Sequence, residues 1–174
     1  MTDVLARIEA TPWLAELLAR RFDFDLARTD PAEPVHLAGG EPLTPIAGDA
    51  SGGTFLRTPS GAVVYAGSEG EGGLIAHDLR DALALVVGLP SLHDALAVPF
   101  GEELLRSLAE ADEEIRQDDA HDPGGQTLDE ARALARQALD LPPADGLLAA
   151  LHAAAADEAY RPISEHGPYD PMLG

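Results

Sequence analysis

The sequence predicts a small α+β domain: a small mixed or antiparallel sheet packed by helices, with a helical C-terminal extension. Three observations predict it. Apolar side chains recur at helical spacing near both ends of the chain, while the middle, residues 43–76, holds short apolar and aromatic runs cut by glycine-rich turns. At 174 residues and 45% apolar side chains, the chain has the length of one domain and the material for a core.

The elements follow in order. Val4, Leu5 and Ile8 mark one face of a first helix. Thr11-Pro12 restarts it, with Thr11 as N-cap and Pro12 at the first helical position. Trp13, Leu14, Leu17, Leu18 and Phe22 carry the apolar side of this second stretch, and Trp13 leads it. Three prolines and Gly39-Gly40 make residues 23–42 a loop, with at most a short strand near Val35–Leu37. Leu43–Ala47 is a short apolar run, and Gly48–Gly53 is a turn cluster. Thr54–Thr58 and Ala62–Ala66 then flank Pro59-Ser60-Gly61, the spacing of a hairpin in which Gly61 takes the left-handed position. Gly67–Gly73 reads as a flexible loop before a brief strand, Leu74–Ala76.

Asp78, with Asp81 three residues on, opens a helix that buries Leu79, Leu83, Val86 and Val87 and stops at Gly88-Leu89-Pro90. Leu92–Ala97 is a short helix. Leu104, Leu108, Ala111 and Ile115 line the next one, whose other positions are nearly all acidic, and Asp118–Gly125 reads as a loop. Thr127 and Glu130 form a capping box for a helix backed by Leu128, Leu134, Ala138 and Leu139. Pro142-Pro143 breaks it, and Asp145 is expected to cap an alanine-rich helix to about Tyr160. The prolines at 162, 168 and 171 suggest an irregular tail.

Charge and composition exclude several chemistries. Thirty-one acids face eleven bases, a formal charge of −20. Every base is arginine, and there is no cysteine. Such a chain repels phosphate backbones, so nucleic acid is not an expected partner. Without cysteine there is no disulfide, thiol nucleophile or thiolate zinc site, and without lysine no Walker lysine or Schiff base. No apolar run approaches the ~18 residues of a membrane span, so no membrane partner is expected. Met-Thr-Asp-Val-Leu lacks the flanks of a signal peptide, and a cytoplasmic location is the expectation. The charge is uneven: net −7 over residues 1–90 and −13 over 91–174.

Few residues offer a catalytic reading. Gly67–Gly73 is rich in glycine, but Glu69 and Glu71 give it the wrong sign for phosphate. Asp118, Asp119, His121 and Asp122 lack the ligand order of a calcium loop and read as an exposed linker. The six histidines (36, 77, 93, 121, 152 and 166) form no His-x-x-x-His pair, so no metal site is expected. Ser51 has Asp49, not glycine, two places before it and is no nucleophile elbow. The strongest concentration of charge is Glu102, Glu103, Glu110, Asp112, Glu113, Glu114, Asp118 and Asp119, offset by Arg106 and Arg116. Such a run is either the solvated face of an amphipathic helix or a docking surface for a basic partner.

The β-rich middle resembles the SMI1/KNR4 (SUKH) superfamily. The resemblance rests on a Pro-Ile-Ala-x-Asp-x-x-Gly strand-turn at Pro45–Gly52, a Val-Tyr pair at Val64-Tyr65 and an Ile-Ala-x-x-Leu lead into a helix at Ile75–Leu79. It covers about residues 3–98, although the Leu-Pro pair that many members carry before the sheet is missing near Trp13. It implies an α+β core, taken as 1–98; outside the resemblance, 99–160 is expected to be a helical extension packed on that core, because short alanine-rich helices alone bury little, and 161–174 the irregular tail. It also implies a non-enzymatic, protein-binding role: many bacterial members are immunity proteins that neutralise a co-encoded toxin, often a nuclease, and others are scaffolds. No catalytic residue, cofactor or metal carries over. The expectation is therefore an immunity protein that blocks a cationic toxin, with Glu69, Glu71 and the eight acids of residues 102–119 as contact residues. An intracellular scaffold or regulatory module is the alternative. A small hydrolase would rest only on scattered histidines and carboxylates.

Overall fold

The computed structural model describes residues 3–122 and 124–174. Met1-Thr2, part of the leader reading, and Pro123, part of the Asp118–Gly125 reading, lie outside them. The fold is α+β, and its main sheet is wholly antiparallel. Four strands, β1 (Thr44–Gly48), β2 (Thr54–Arg57), β3 (Val63–Ala66) and β4 (Gly72–Ala76), run as a meander in the order β1-β2-β3-β4.

The β2–β3 pair has the expected register, Phe55 opposite Tyr65 and Leu56 opposite Val64. Its turn closes as predicted, with Gly61 at φ 98°. Pro45 is tolerated because β1 is an edge strand. Every residue of β3 is buried, which follows from the sheet being covered on both faces. Phe55, Val63, Tyr65 and Ile75 point into the main core. Leu56, Val64, Ala66 and Leu74 point the other way, under Val35, Leu43, Ala154, Tyr160 and Tyr169.

Helices α1 (Val4–Glu9), α2 (Pro12–Arg21), α3 (Leu79–Gly88), α4 (Leu92–Ala97), α5 (Glu102–Ala120), α6 (Leu128–Leu139) and α7 (Leu148–Ala155) complete the fold. Two caps form as read: Asp78 accepts from the Asp81 amide, and Thr127 accepts from the Glu130 amide. The second half shares the first half's core. Leu104, Leu108, Leu128, Ala135, Leu148 and Leu151 belong to the same buried cluster as Leu14, Phe24 and Leu83.

Several expectations are corrected. Thr11 stands at the N-cap position, but its hydroxyl bonds back to the Arg7 carbonyl and caps no amide of α2. Leu134, read as part of the buried side of its helix, is exposed, and Trp13 at the head of α2 is exposed as well. Gly67–Gly73 is no open loop: Gly67 N–H donates to the Glu71 carbonyl at 2.7 Å, and β4 already begins at Gly72. Asp118 and Asp119 belong to the last turn of α5, because nothing breaks that helix before Ala120. Asp145 lies inside a 3₁₀ turn (Ala144–Leu147) and caps nothing, and α7 ends at Ala155.

The largest correction is the tail. Two strands, β5 (Ile163–Ser164) and β6 (Gly167–Pro168), pair with each other. Ile163 exchanges both backbone hydrogen bonds with His36, and Gly72 N–H donates to the Asp170 carbonyl. Tyr169 is buried, and its hydroxyl donates to Glu33 at 2.7 Å. Residues 161–174 therefore form part of the lid over the sheet's second face.

Candidate functional site

The acids of α5 divide into two sets by helical phase. Leu104, Leu108, Asp112, Ile115 and Asp119 are spaced by four or three residues, so the two aspartates continue the apolar stripe. Each meets an arginine there. Arg132 of α6 is buried; its Nη atoms donate to both Asp112 oxygens at 2.8 and 2.9 Å, and its Nε donates to the Val87 carbonyl at 2.9 Å. Arg21 of α2 forks onto Asp119 at 2.9 and 3.0 Å, and Asp119 also accepts from the Leu128 amide. The hydrogen bond and charge of Arg21 hold the Asp119 carboxyl below its ordinary pKa. These two carboxylates join α5 to α2, α3 and α6, and the sequence signal for that role is their place on the stripe.

The other set faces solvent. Glu102, Glu103, Glu110, Glu113, Glu114 and Asp118 are exposed. Glu113 reaches Arg116 at 3.7 Å, while Arg116 itself is bonded to Asp129. The other five have no ion-pair partner among the described residues. Glu110, Glu114 and Asp118 stand at i, i+4 and i+8, so like charges are stacked along one side. Asp118 adds its charge to the negative end of the helix dipole. Local helix energetics oppose this arrangement. Two large apolar side chains, Phe100 and Leu105, are also exposed at the start of α5.

Glu69 and Glu71 lie on the β3–β4 connection rather than on α5. Glu69 is exposed at the β3–β4 turn. Glu71 is half-buried, and its carboxylate meets His93 Nε2 at 3.3 Å.

A second feature lies where the sheet meets the helices. Asp49, in the turn after β1, is buried. Its Oδ1 accepts from Ser51 N, Ser51 Oγ and Gly53 N at 3.1, 2.7 and 2.8 Å, and its Oδ2 accepts from Tyr65 Oη at 2.5 Å. Burial works to raise the Asp49 pKa, but the bonds from Ser51, Tyr65 and Gly53 outweigh it and hold it below the ordinary value. Burial and the neighbouring Asp49 carboxylate push the Tyr65 phenol well above its ordinary range. A Cβ at Gly53 would overlap the Tyr65 hydroxyl, so that position requires glycine. In the sequence Asp49 stands in a turn cluster, as the aspartate of the strand-turn motif and as the residue that spoils a nucleophile elbow; its partner Tyr65, sixteen residues away, becomes visible once β3 is paired.

This network borders a cleft of about 330 Å³ between the end of α2, the α3–α4 junction, α5 and α6. Phe22, Phe55, Leu92 and Ile115 line it together with the polar groups of Arg20, Arg21, Asp23, Asp49, Ser91 and His93. Among the described residues, no group of three or more histidine or acidic side chains could hold a metal ion, and no helix is long and apolar enough to cross a membrane. No protein-family model, curated protein or solved structure matches the chain.

Proposed function

We propose that this chain is a non-enzymatic protein-binding module of the immunity type, which docks a cationic toxin domain through the outer face of α5 and blocks it sterically. The observation that carries this reading is the stripe Glu110–Glu114–Asp118. Its acids are exposed, have no ion-pair partner among the described residues and act against their own helix, whereas the inward acids Asp112 and Asp119 are bonded to arginines. A surface that costs stability and is kept apart from the core's own ion pairs suits an external cation. Charge complementarity supplies fast encounter with such a partner. The resemblance to SUKH proteins supports the same reading, and the cytoplasm is where such a partner would be met.

The test is binding to the purified basic domain of a toxin encoded beside this chain, measured against salt. Neutralising the stripe (Glu110→Gln, Glu114→Gln, Asp118→Asn) should slow association about tenfold at low salt. The parent complex should weaken steeply as salt is added. Binding that ignores both changes would remove α5 as the docking face and leave a scaffold that engages partners elsewhere.

A further inference from the structure

The exposed acids of α5 lead toward an aromatic side chain. Asp122 stands four residues beyond Asp118 and so prolongs the Glu110–Glu114–Asp118 series. His121 keeps helical backbone angles, and the Asp122 N–H donates to the Asp119 carbonyl at 3.1 Å, so the chain goes on turning past the end of the helix. There Asp122 borders a groove of about 420 Å³ whose other wall is α2. Trp13, Glu16, Leu17 and Arg20 make that wall, spaced along one side of the helix. We infer that this groove takes an arginine side chain of the cationic partner, with its guanidinium against the Trp13 indole and the Asp122 carboxylate. The inference rests on the docking reading of α5 and adds to it the place and the kind of anchor.

Charge selects the occupant. Three carboxylates and two guanidinium groups line the groove. Arg21 is forked by Asp119, and Arg20 reaches Glu16 at 3.0 Å, so each lining arginine already has an acid of its own. Asp122 is the carboxylate left over: it is exposed and has no ion-pair partner among the described residues. The C-terminal end of α5 brings the negative end of its dipole to the same place. A cation entering here meets an uncompensated charge of the opposite sign, and it does so where the exposed acids of α5 end.

The aromatic ring narrows the choice of cation. Leu14, Leu17 and Leu18 of α2 are buried, whereas Trp13 is 51% exposed. Tryptophan is the best aromatic partner for a cation and a frequent anchor of protein interfaces. A guanidinium can lie flat on an indole while its edge donates two N–H groups to one carboxylate. A lysine ammonium is a compact, strongly hydrated point charge and does not combine the two contacts as well.

Trp13 is the only tryptophan in the chain, so its indole N–H gives a single NMR signal at the groove. The experiment is a titration of the full chain with an octa-arginine peptide and, separately, with octa-lysine, read by NMR and by calorimetry at one salt concentration. The arginine peptide should move the indole signal and the amides of Gly125 and Gln126 saturably. Octa-lysine should move amides along Glu110–Asp118 and leave the indole nearly still. Trp13→Ala should weaken the arginine peptide about tenfold and leave the lysine peptide nearly unaffected. Asp122→Asn, at an exposed side chain, should weaken arginine more than lysine and serves if the Trp13 variant does not fold. An unmoved indole, an equal response to both peptides, or unchanged affinity in the folded variants would each overturn the assignment. Neutralising Glu110, Glu114 and Asp118 separates it from the reading it rests on: if the indole still moves but neither affinity falls, the groove stands and the outer face of α5 does not.

Discussion

At the scale of single residues, the buried acids hold the fold together. Asp112→Ala would strand Arg132, whose side chain is only 6% exposed, and should destabilise the protein by about 3 kcal/mol in a denaturant titration. Neighbouring Glu113→Ala, on the outer face, should change stability by less than about 0.5 kcal/mol. Asp49 and Asp119 both have lowered carboxyl pKa values. A depressed folded-state pKa contributes stability above the unfolded value of about 3.9, and that stability is lost as pH falls through the folded value. Acid unfolding should therefore set in below about pH 4. Tyr65→Phe removes one donor to Asp49, so its carboxyl pKa should rise and the acid loss should begin at higher pH, as an NMR titration of that carboxyl would record. Gly53→Ala should be more damaging, since its methyl group would overlap the Tyr65 hydroxyl. The inward aspartates were within reach of the sequence, because 104, 108, 112, 115 and 119 form one stripe. What periodicity alone did not supply was the identity of the arginines opposite, which lie at 98 and 20 residues' distance along the chain.

At the scale of elements, the legible ones carried local signals. The capped starts of α3 and α6 and the β2–β3 turn each have their chemistry within a few adjacent residues, and each formed where those residues stand. The tail was misread for the opposite reason. Its strands are two residues long, and their ordering comes from His36, Glu33 and Gly72, none of them close in sequence. Tyr169 reports on this lid. Burial, together with Glu33, pushes its pKa up to about 12. A raised folded-state pKa contributes stability below the unfolded value of about 10, and that contribution is lost as pH rises toward 12. Tyr169→Phe should blunt the alkaline part of the stability profile. Within α5, neutralising Glu110, Glu114 and Asp118 should leave stability unchanged or raise it by about 0.5–1 kcal/mol, because like-charge pairs and an unfavourable dipole contact are relieved. A loss of stability on that change would show that the stripe supports the fold.

At the scale of the whole molecule, a net charge of −20 works against compactness. The Debye length falls from about 30 Å at 0.01 M salt to about 10 Å at 0.1 M, so the melting temperature should rise across that range. The same addition should weaken a cationic partner on α5. Opposite signs for stability and docking would separate general repulsion from a dedicated surface. The sheet, covered on both faces, has a further consequence in time. Its four strands are complete by Ala76, but Ala154, Tyr160 and Tyr169, which seal the second face, are translated much later. At about 5–20 residues per second, a ribosome needs several seconds to make that stretch. For those seconds Leu56, Val64 and Leu74 have only Val35 and Leu43 of their cover, and a nascent chain in that state is open to chaperones and to misassembly in a way the finished protein is not.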